Sequence, residues 1–97
     1  MKRTVTIQHD PATSRFSVVL PDRSEAELQY RRAGTTLDFF HTYVPEKFRT
    51  EGIAEQVVQA GFDYARQEGL RVIPSCPYVS RGFLPRHPEY QDLVVSG

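Results

Sequence analysis

The sequence has very few residues of the kinds that hold metals or covalent cross-links. Its one cysteine, Cys76, excludes an internal disulfide and any cysteine-rich zinc site. The three histidines, His9, His41 and His87, are spread along the chain without the spacing of metal ligands. The sequence therefore predicts no metal site.

Net charge and long apolar runs are also missing. Twelve basic and twelve acidic residues give a formal net charge of zero, so the chain has no bulk attraction to nucleic acid or to an anionic membrane. No apolar run approaches the ~18 residues of a membrane span, and the N-terminus lacks the apolar core of a signal peptide. We therefore expect a cytoplasmic protein that binds neither nucleic acid nor membrane.

The length of 97 residues bounds the architecture. A chain of this size forms one domain with one modest core, so we expect residues 1–97 to fold as a single unit. Hydrophobic residues make up 39% and charged residues 25% of the chain, which is typical of a globular protein with a polar surface.

Four segments are predicted strands, and apolar and polar residues alternate over the first three, which is the period of a strand with one buried face. The segments are Thr4–His9, Phe16–Leu20, Glu25–Arg31 and Thr36–Val44. Turn residues separate them, among them Gly34, which supplies the positive φ that a hairpin turn needs. The fourth segment is apolar on both faces, so we expect it to lie centrally in the sheet.

The spacing of apolar residues changes from two to about 3.6 after Gly52. This change predicts a helix from Ile53 to Glu68, ended by Gly69 as a left-handed cap. Leu70–Ile73 predicts a short strand, which the helical crossover makes parallel to the fourth one. The expected fold class is therefore α/β with a mixed sheet, antiparallel through Val44 and parallel across the crossover.

The loop before the helix has the chemistry of an anion site. Arg49 and Gly52 precede the helix, and Gly52 leaves the first helical amides uncovered by a Cβ. Amides at a helix N-terminus bind phosphates. Lys47 and Arg49 can neutralise phosphate charge, although exposed cations near a loop are usually only solvated.

The pattern R-x-x-G-x-A, with Arg49, Gly52 and Ala54, resembles the pyrophosphate-binding segment of the GNAT superfamily of acetyl-CoA-dependent acetyltransferases. The chain is also similar to the short, stand-alone GNAT-like proteins from about Ala26 to Val94, because the segment H-T-Y-V-P precedes this pattern and the segment P-S-C-P-Y follows the helix. The resemblance implies that the diphosphate of coenzyme A lies on the loop amides and the pantetheine arm lies between splayed parallel strands. The cofactor-binding residues it implies are Thr42, Tyr43, Val44, Lys47, Arg49, Thr50, Glu51, Gly52, Ile53, Ala54 and Ser75.

Glu51 departs from the usual pattern of that family, where a second glycine is common in the loop. A carboxylate facing the diphosphate would weaken binding by like-charge repulsion. Alternatively, Glu51 simply complements the positive end of the helix. We favour the second interpretation.

Cys76 is the first candidate for acetyl transfer. It follows Pro74, where strand pairing must stop, and it precedes Pro77, a residue type favoured at the first position of a helix. A short helix over Tyr78–Leu84 would place the thiol at a positive helix end, near the thioester. The plainer alternative is that Cys76 is a small buried hydrophobe.

Tyr78 and His41 are the other two candidates. A phenol near the leaving sulfur can act as a general acid, and an imidazole at the strand end can act as a base. Each also has a structural alternative, since an aromatic ring is as often a packing residue and a strand histidine is often a satisfied core residue.

The resemblance thus implies an acetyltransferase that moves the acetyl group of acetyl-CoA to an amine, on a protein or on a smaller acceptor, either by way of Cys76 or by direct attack of the amine on the thioester. One alternative is a non-catalytic module that binds coenzyme A or an acyl-CoA. A third possibility is an interaction domain without a ligand. The chain lacks the helices that shape the acceptor site in larger GNAT proteins, which favours the module or an acceptor site completed by a partner.

Overall fold

The computed structural model describes residues 3–95. Its centre is a five-stranded sheet whose strands lie in the order in which they occur along the chain. The strands are β1 (Gln8–Asp10), β2 (Arg15–Val19), β3 (Glu25–Ala33), β4 (Thr36–Tyr43) and β5 (Arg71–Ile73). Strands β1 to β4 pair antiparallel, and β4 pairs parallel with β5, which confirms the predicted mixed sheet.

One long helix, α1 (Ile53–Glu68), connects β4 to β5 and has the predicted bounds. Its apolar stripe packs on one face of the sheet. Gly61 allows a close approach there, because an added Cβ would lie 2.7 Å from Leu28 Cδ2 and 2.9 Å from Phe39 Cζ. Within residues 3–95, no helix is both long enough and apolar enough to cross a membrane.

The N-terminal segment differs from the prediction. Alternation predicts a strand over Thr4–His9, but β1 is shorter and starts later. The residues before β1 bond to the start of α1 instead: the amide of Arg3 donates to the Glu51 carbonyl at 2.9 Å, and the amide of Val5 donates to Gln56 Oε1 at 3.3 Å. These contacts with the helix take the place of pairing in the sheet.

A bulge in β4 decides which of its side chains face α1. The pairing of β4 with β3 skips Phe40, which lies between Phe39 and His41. Side chains alternate along a strand, so one extra residue exchanges the two faces beyond it. Phe39 and Thr42 consequently lie on the face that α1 covers, whereas His41 and Tyr43 lie on the opposite face.

The residues after β5 fold back onto α1 as short helical turns. These are a π-helical turn (Tyr78–Phe83) and two 3₁₀ turns (Leu84–Arg86 and Pro88–Leu93). The rings of Phe62 and Phe83 stack with centroids 5.4 Å apart, and the Tyr90 hydroxyl donates to Asp63 Oδ1 at 2.5 Å. This packing holds the C-terminal turns against the middle of α1, and the same turns reach its first turn, where His87 Nε2 lies 2.8 Å from Glu55 Oε2.

Candidate functional site

The segment between β4 and α1 is a compact turn with a free helix start. Phe48 ends a 3₁₀ turn (Glu46–Phe48) and anchors the segment in the core. Gly52 then has φ of 73°, in the left-handed region that favours glycine. No side chain caps the helix at this residue, so the first amides of α1 are left for another partner.

Two adjoining cavities, of about 320 and 290 Å³, open beside this helix start. Arg49, Ala54 and Tyr78 line both, so the two cavities form one continuous groove, here called the α1–β4 groove. The remaining lining residues are Thr50, Gly52, Glu55 and Arg86 at one end, and Thr42, Tyr43 and Val44 at the other. The structure thus brings together most of the predicted cofactor-binding residues.

Arg49 is held in place at the middle of the groove. Its Nε donates to the Val44 carbonyl at 2.8 Å, which fixes the guanidinium between the two ends. The planar head offers several donors and a permanent positive charge. Lys47 does not line the groove, and its ammonium lies 5.7 Å from the centre of the Phe48 ring.

One wall of the groove is an unpaired strand edge. The parallel ladder of β4 and β5 ends at Asp38 and Ile73, after which the amide of Cys76 donates to the Phe39 carbonyl at 2.9 Å. Farther along, β4 pairs only with β3 among the described residues. Thr42 Oγ1 on this wall is buried and has no hydrogen-bond partner within residues 3–95. These are polar groups that a bound ligand would satisfy.

Besides Lys47, three predicted cofactor-binding residues do not place their side chains in the groove lining. The Glu51 carboxylate pairs with the Arg3 guanidinium and does not line the groove. The side chain of Ile53 is buried in the core, so only its backbone faces the helix start. Ser75 Oγ donates to Asp38 Oδ1 at 2.5 Å, just past the end of β5.

The three catalytic candidates are not gathered at one point. Tyr78 lines both parts of the groove, and burial raises the pKa of its phenol, so the group stays protonated. Cys76 is only 8% exposed and lies outside the groove lining. The side chain of His41 is 47% exposed on the opposite face of the sheet, where its Nε2 lies 3.7 Å from Glu27 Oε2.

The sequence profile described as GCN5-related N-acetyl-transferase matches residues 15–93. That range contains four of the five strands, α1 and every residue that lines the groove. The chain belongs to this family. The predicted resemblance to the GNAT superfamily is therefore confirmed by the match to the family profile.

Relatives of this GCN5-related chain occur among vertebrates. Protein NATD1 of Danio rerio is 30% identical over 92 residues, which cover 92% of this chain and 84% of that protein. Protein NATD1 of Xenopus tropicalis is 34% identical over 80 residues, which cover 80% of this chain and 73% of that protein. A GCN5-like protein of Staphylococcus aureus, solved by NMR, has the same fold, with a TM-score of 0.73 at 22% identity over 96% of this chain and 90% of that one.

Two charged residues of this GNAT groove are not predicted by the sequence. Glu55 has the position of a solvent-facing helix residue, and Arg86 lies in a distant segment without a motif. They meet because the C-terminal turns pack beside α1, which no local pattern encodes. Among the described residues, no three or more His, Cys, Asp or Glu side chains are grouped so as to hold a metal ion.

Proposed function

We propose that this GNAT-family chain binds acetyl-CoA in the α1–β4 groove. A diphosphate needs hydrogen-bond donors and positive charge, which the uncapped first turn of α1 and Arg49 can supply. The amides of the pantetheine arm can pair with a free strand edge, such as that at Thr42–Val44. The observation that carries the proposal is that one continuous groove joins these two features.

The proposed activity is transfer of the acetyl group to an amine, with Cys76 as the first acceptor. Acetyl-CoA supplies an activated thioester. The thiolate of Cys76 attacks its carbonyl carbon, so a new carbon–sulfur bond forms while the bond to coenzyme A breaks. Tyr78, protonated on the groove wall, donates the proton that the departing sulfur needs.

The second half of the cycle restores the enzyme. The amine attacks the acetyl group on Cys76 and forms an amide, while the carbon–sulfur bond to Cys76 breaks and the cysteine leaves as a thiolate. Tyr78, left as a phenolate on the groove wall by the first half, accepts the proton that the amine loses, whereas His41 lies on the face of the sheet opposite α1.

A second candidate function is binding of coenzyme A or an acyl-CoA without turnover. The burial of Cys76 favours this function, because a thiol that is 8% exposed and outside the groove lining must move to meet a thioester. In that case the groove holds the ligand, and Cys76 acts as a small apolar residue of the core.

Mass spectrometry after incubation with acetyl-CoA separates the candidates. Under native conditions we expect a non-covalent adduct in the parent, in Cys76→Ala and in Cys76→Ser. After denaturation, one retained acetyl group is expected in the parent and none in the two variants. The native adduct of the variants shows that their groove is still folded.

A turnover assay with a panel of amines completes the experiment. If both variants keep full turnover, Cys76 takes no part, and the amine attacks the thioester directly with Tyr78 or His41 moving the proton. An adduct without turnover for any amine identifies the binding module. The absence of an adduct with the parent protein would contradict the proposal.

A further inference from the structure

The C-terminal turns place a charged group of side chains beside the first turn of α1. His87 Nε2 lies 2.8 Å from Glu55 Oε2, and Arg86 Nη1 lies 3.9 Å from the same oxygen. His87 Nδ1 lies 3.2 Å from Glu89 Oε2. Since each ring nitrogen faces a carboxylate oxygen, both must donate, which only the protonated imidazole can do. The geometry therefore favours His87 as a cation.

This arrangement decides the charge at one end of the groove. Glu55 lines the groove with Gly52, where a carboxylate that is not neutralised repels phosphate. The contact with His87 offsets that charge. Arg86 also lines the groove, its side chain is 69% exposed, and the separation of 3.9 Å from Glu55 Oε2 exceeds hydrogen-bond distance. Its guanidinium is therefore available to an anion.

We propose that Arg86 binds a phosphate group of the ligand in the α1–β4 groove, and that His87 keeps Arg86 available by neutralising Glu55. The inference rests on the proposed function and extends it. Arg86 is a ligand contact, whereas His87 acts through Glu55 and is a positioning residue. When His87 loses its proton, Glu55 draws the Arg86 guanidinium to itself, and the groove loses positive charge that faces the ligand.

The groups around these side chains set the direction of the pH dependence. Glu55 faces His87 from α1, and Glu89 faces it from its own turn. Arg86 and Tyr78 are further ionisable groups beside Glu55. The hydrogen bond to Glu55 raises the pKa of His87 above its ordinary value, so the cation persists to a higher pH than that of an ordinary histidine. Affinity for phosphate should fall as the pH rises through that raised pKa.

Calorimetry with coenzyme A at about pH 7 and about pH 9 tests the inference. Arg86→Gln should weaken binding about fivefold at the lower pH. Arg81→Gln is the matched control, because Arg81 is exposed in the same C-terminal segment but does not line the groove. His87→Gln should show the weaker affinity at both pH values, and Glu55→Gln should lose most of the pH dependence.

NMR titration of the His87 ring measures its pKa with and without ligand, and a purely structural role of His87 predicts no change in that pKa on ligand binding. Because linkage is reciprocal, a ligand that binds better to the protonated form also raises the pKa of His87. Saturating coenzyme A should raise that pKa in the parent and in Arg81→Gln, and should raise it less in Arg86→Gln.

The outcomes separate this inference from the proposed function. If coenzyme A binds Arg86→Gln as tightly as Arg81→Gln, the inference falls and the proposed function stands. If the parent binds inorganic pyrophosphate in an Arg86-dependent way but does not bind coenzyme A, the phosphate site stands and the proposed function falls. Binding of neither probe overturns both.

Discussion

Gly52 and Gly69 stand at the two ends of α1 with nearly the same left-handed backbone, φ being 73° and 69°. Alanine at either position places a Cβ in a region that costs about 1 kcal/mol in the free energy of unfolding. In a domain of 97 residues, that lowers the melting temperature by about 4–8 °C. Backbone strain alone therefore predicts equal losses of stability for Gly52→Ala and Gly69→Ala.

Only Gly52 lies in the α1–β4 groove. A Cβ at Gly69 would meet nothing within 4 Å, whereas Gly52 lines the groove at the start of α1. A methyl group there stands between the helix amides and a diphosphate, and losing one hydrogen bond to a charged group costs about 1.5–3 kcal/mol. We expect the Kd for coenzyme A to rise about tenfold to a hundredfold in Gly52→Ala and to stay unchanged in Gly69→Ala.

Thermal unfolding measures the strain, and calorimetry on the same preparations measures the affinity. Equal Kd values for the two variants would refute the placement of the diphosphate at Gly52, even if both variants lose the expected stability. A melting temperature that falls for one variant only would refute the argument from equal strain.

Two further predictions concern groups outside the groove. Glu51→Gln removes a partly exposed ion pair with Arg3, so the free energy of unfolding should fall by less than about 1 kcal/mol. Its affinity for coenzyme A should not change at either low or high salt; a gain at low salt would mean that the carboxylate faces the ligand. Burial lowers the pKa of His9 in the folded protein. The neutral ring of His9 therefore contributes to the free energy of unfolding above the ordinary pKa of about 6.5, and this contribution is lost as the pH falls through the lowered pKa. Urea midpoints at about pH 7.5 and about pH 5.5 should therefore differ less in His9→Gln than in the parent, and equal differences would contradict this assignment.

The sequence by itself determined the elements whose signals are local. The bounds of α1 follow from an apolar stripe at helical spacing between two glycines, and the structure has the same bounds, Ile53–Glu68. The parallel pairing of β4 and β5 follows from the length of the crossover between them. The left-handed turn at Gly52 before α1 is local as well, because backbone conformation and helix ends depend on near neighbours.

Only the tertiary structure decided how the side chains of the site are distributed. One bulge residue in β4 puts His41 and Thr42 on the faces they occupy, and alternation along the sequence does not show where a bulge falls. Packing of the C-terminal turns joins Arg86 and His87 to Glu55. Such contacts join residues far apart in the chain, so they depend on how whole elements pack and leave no periodic signal in the sequence.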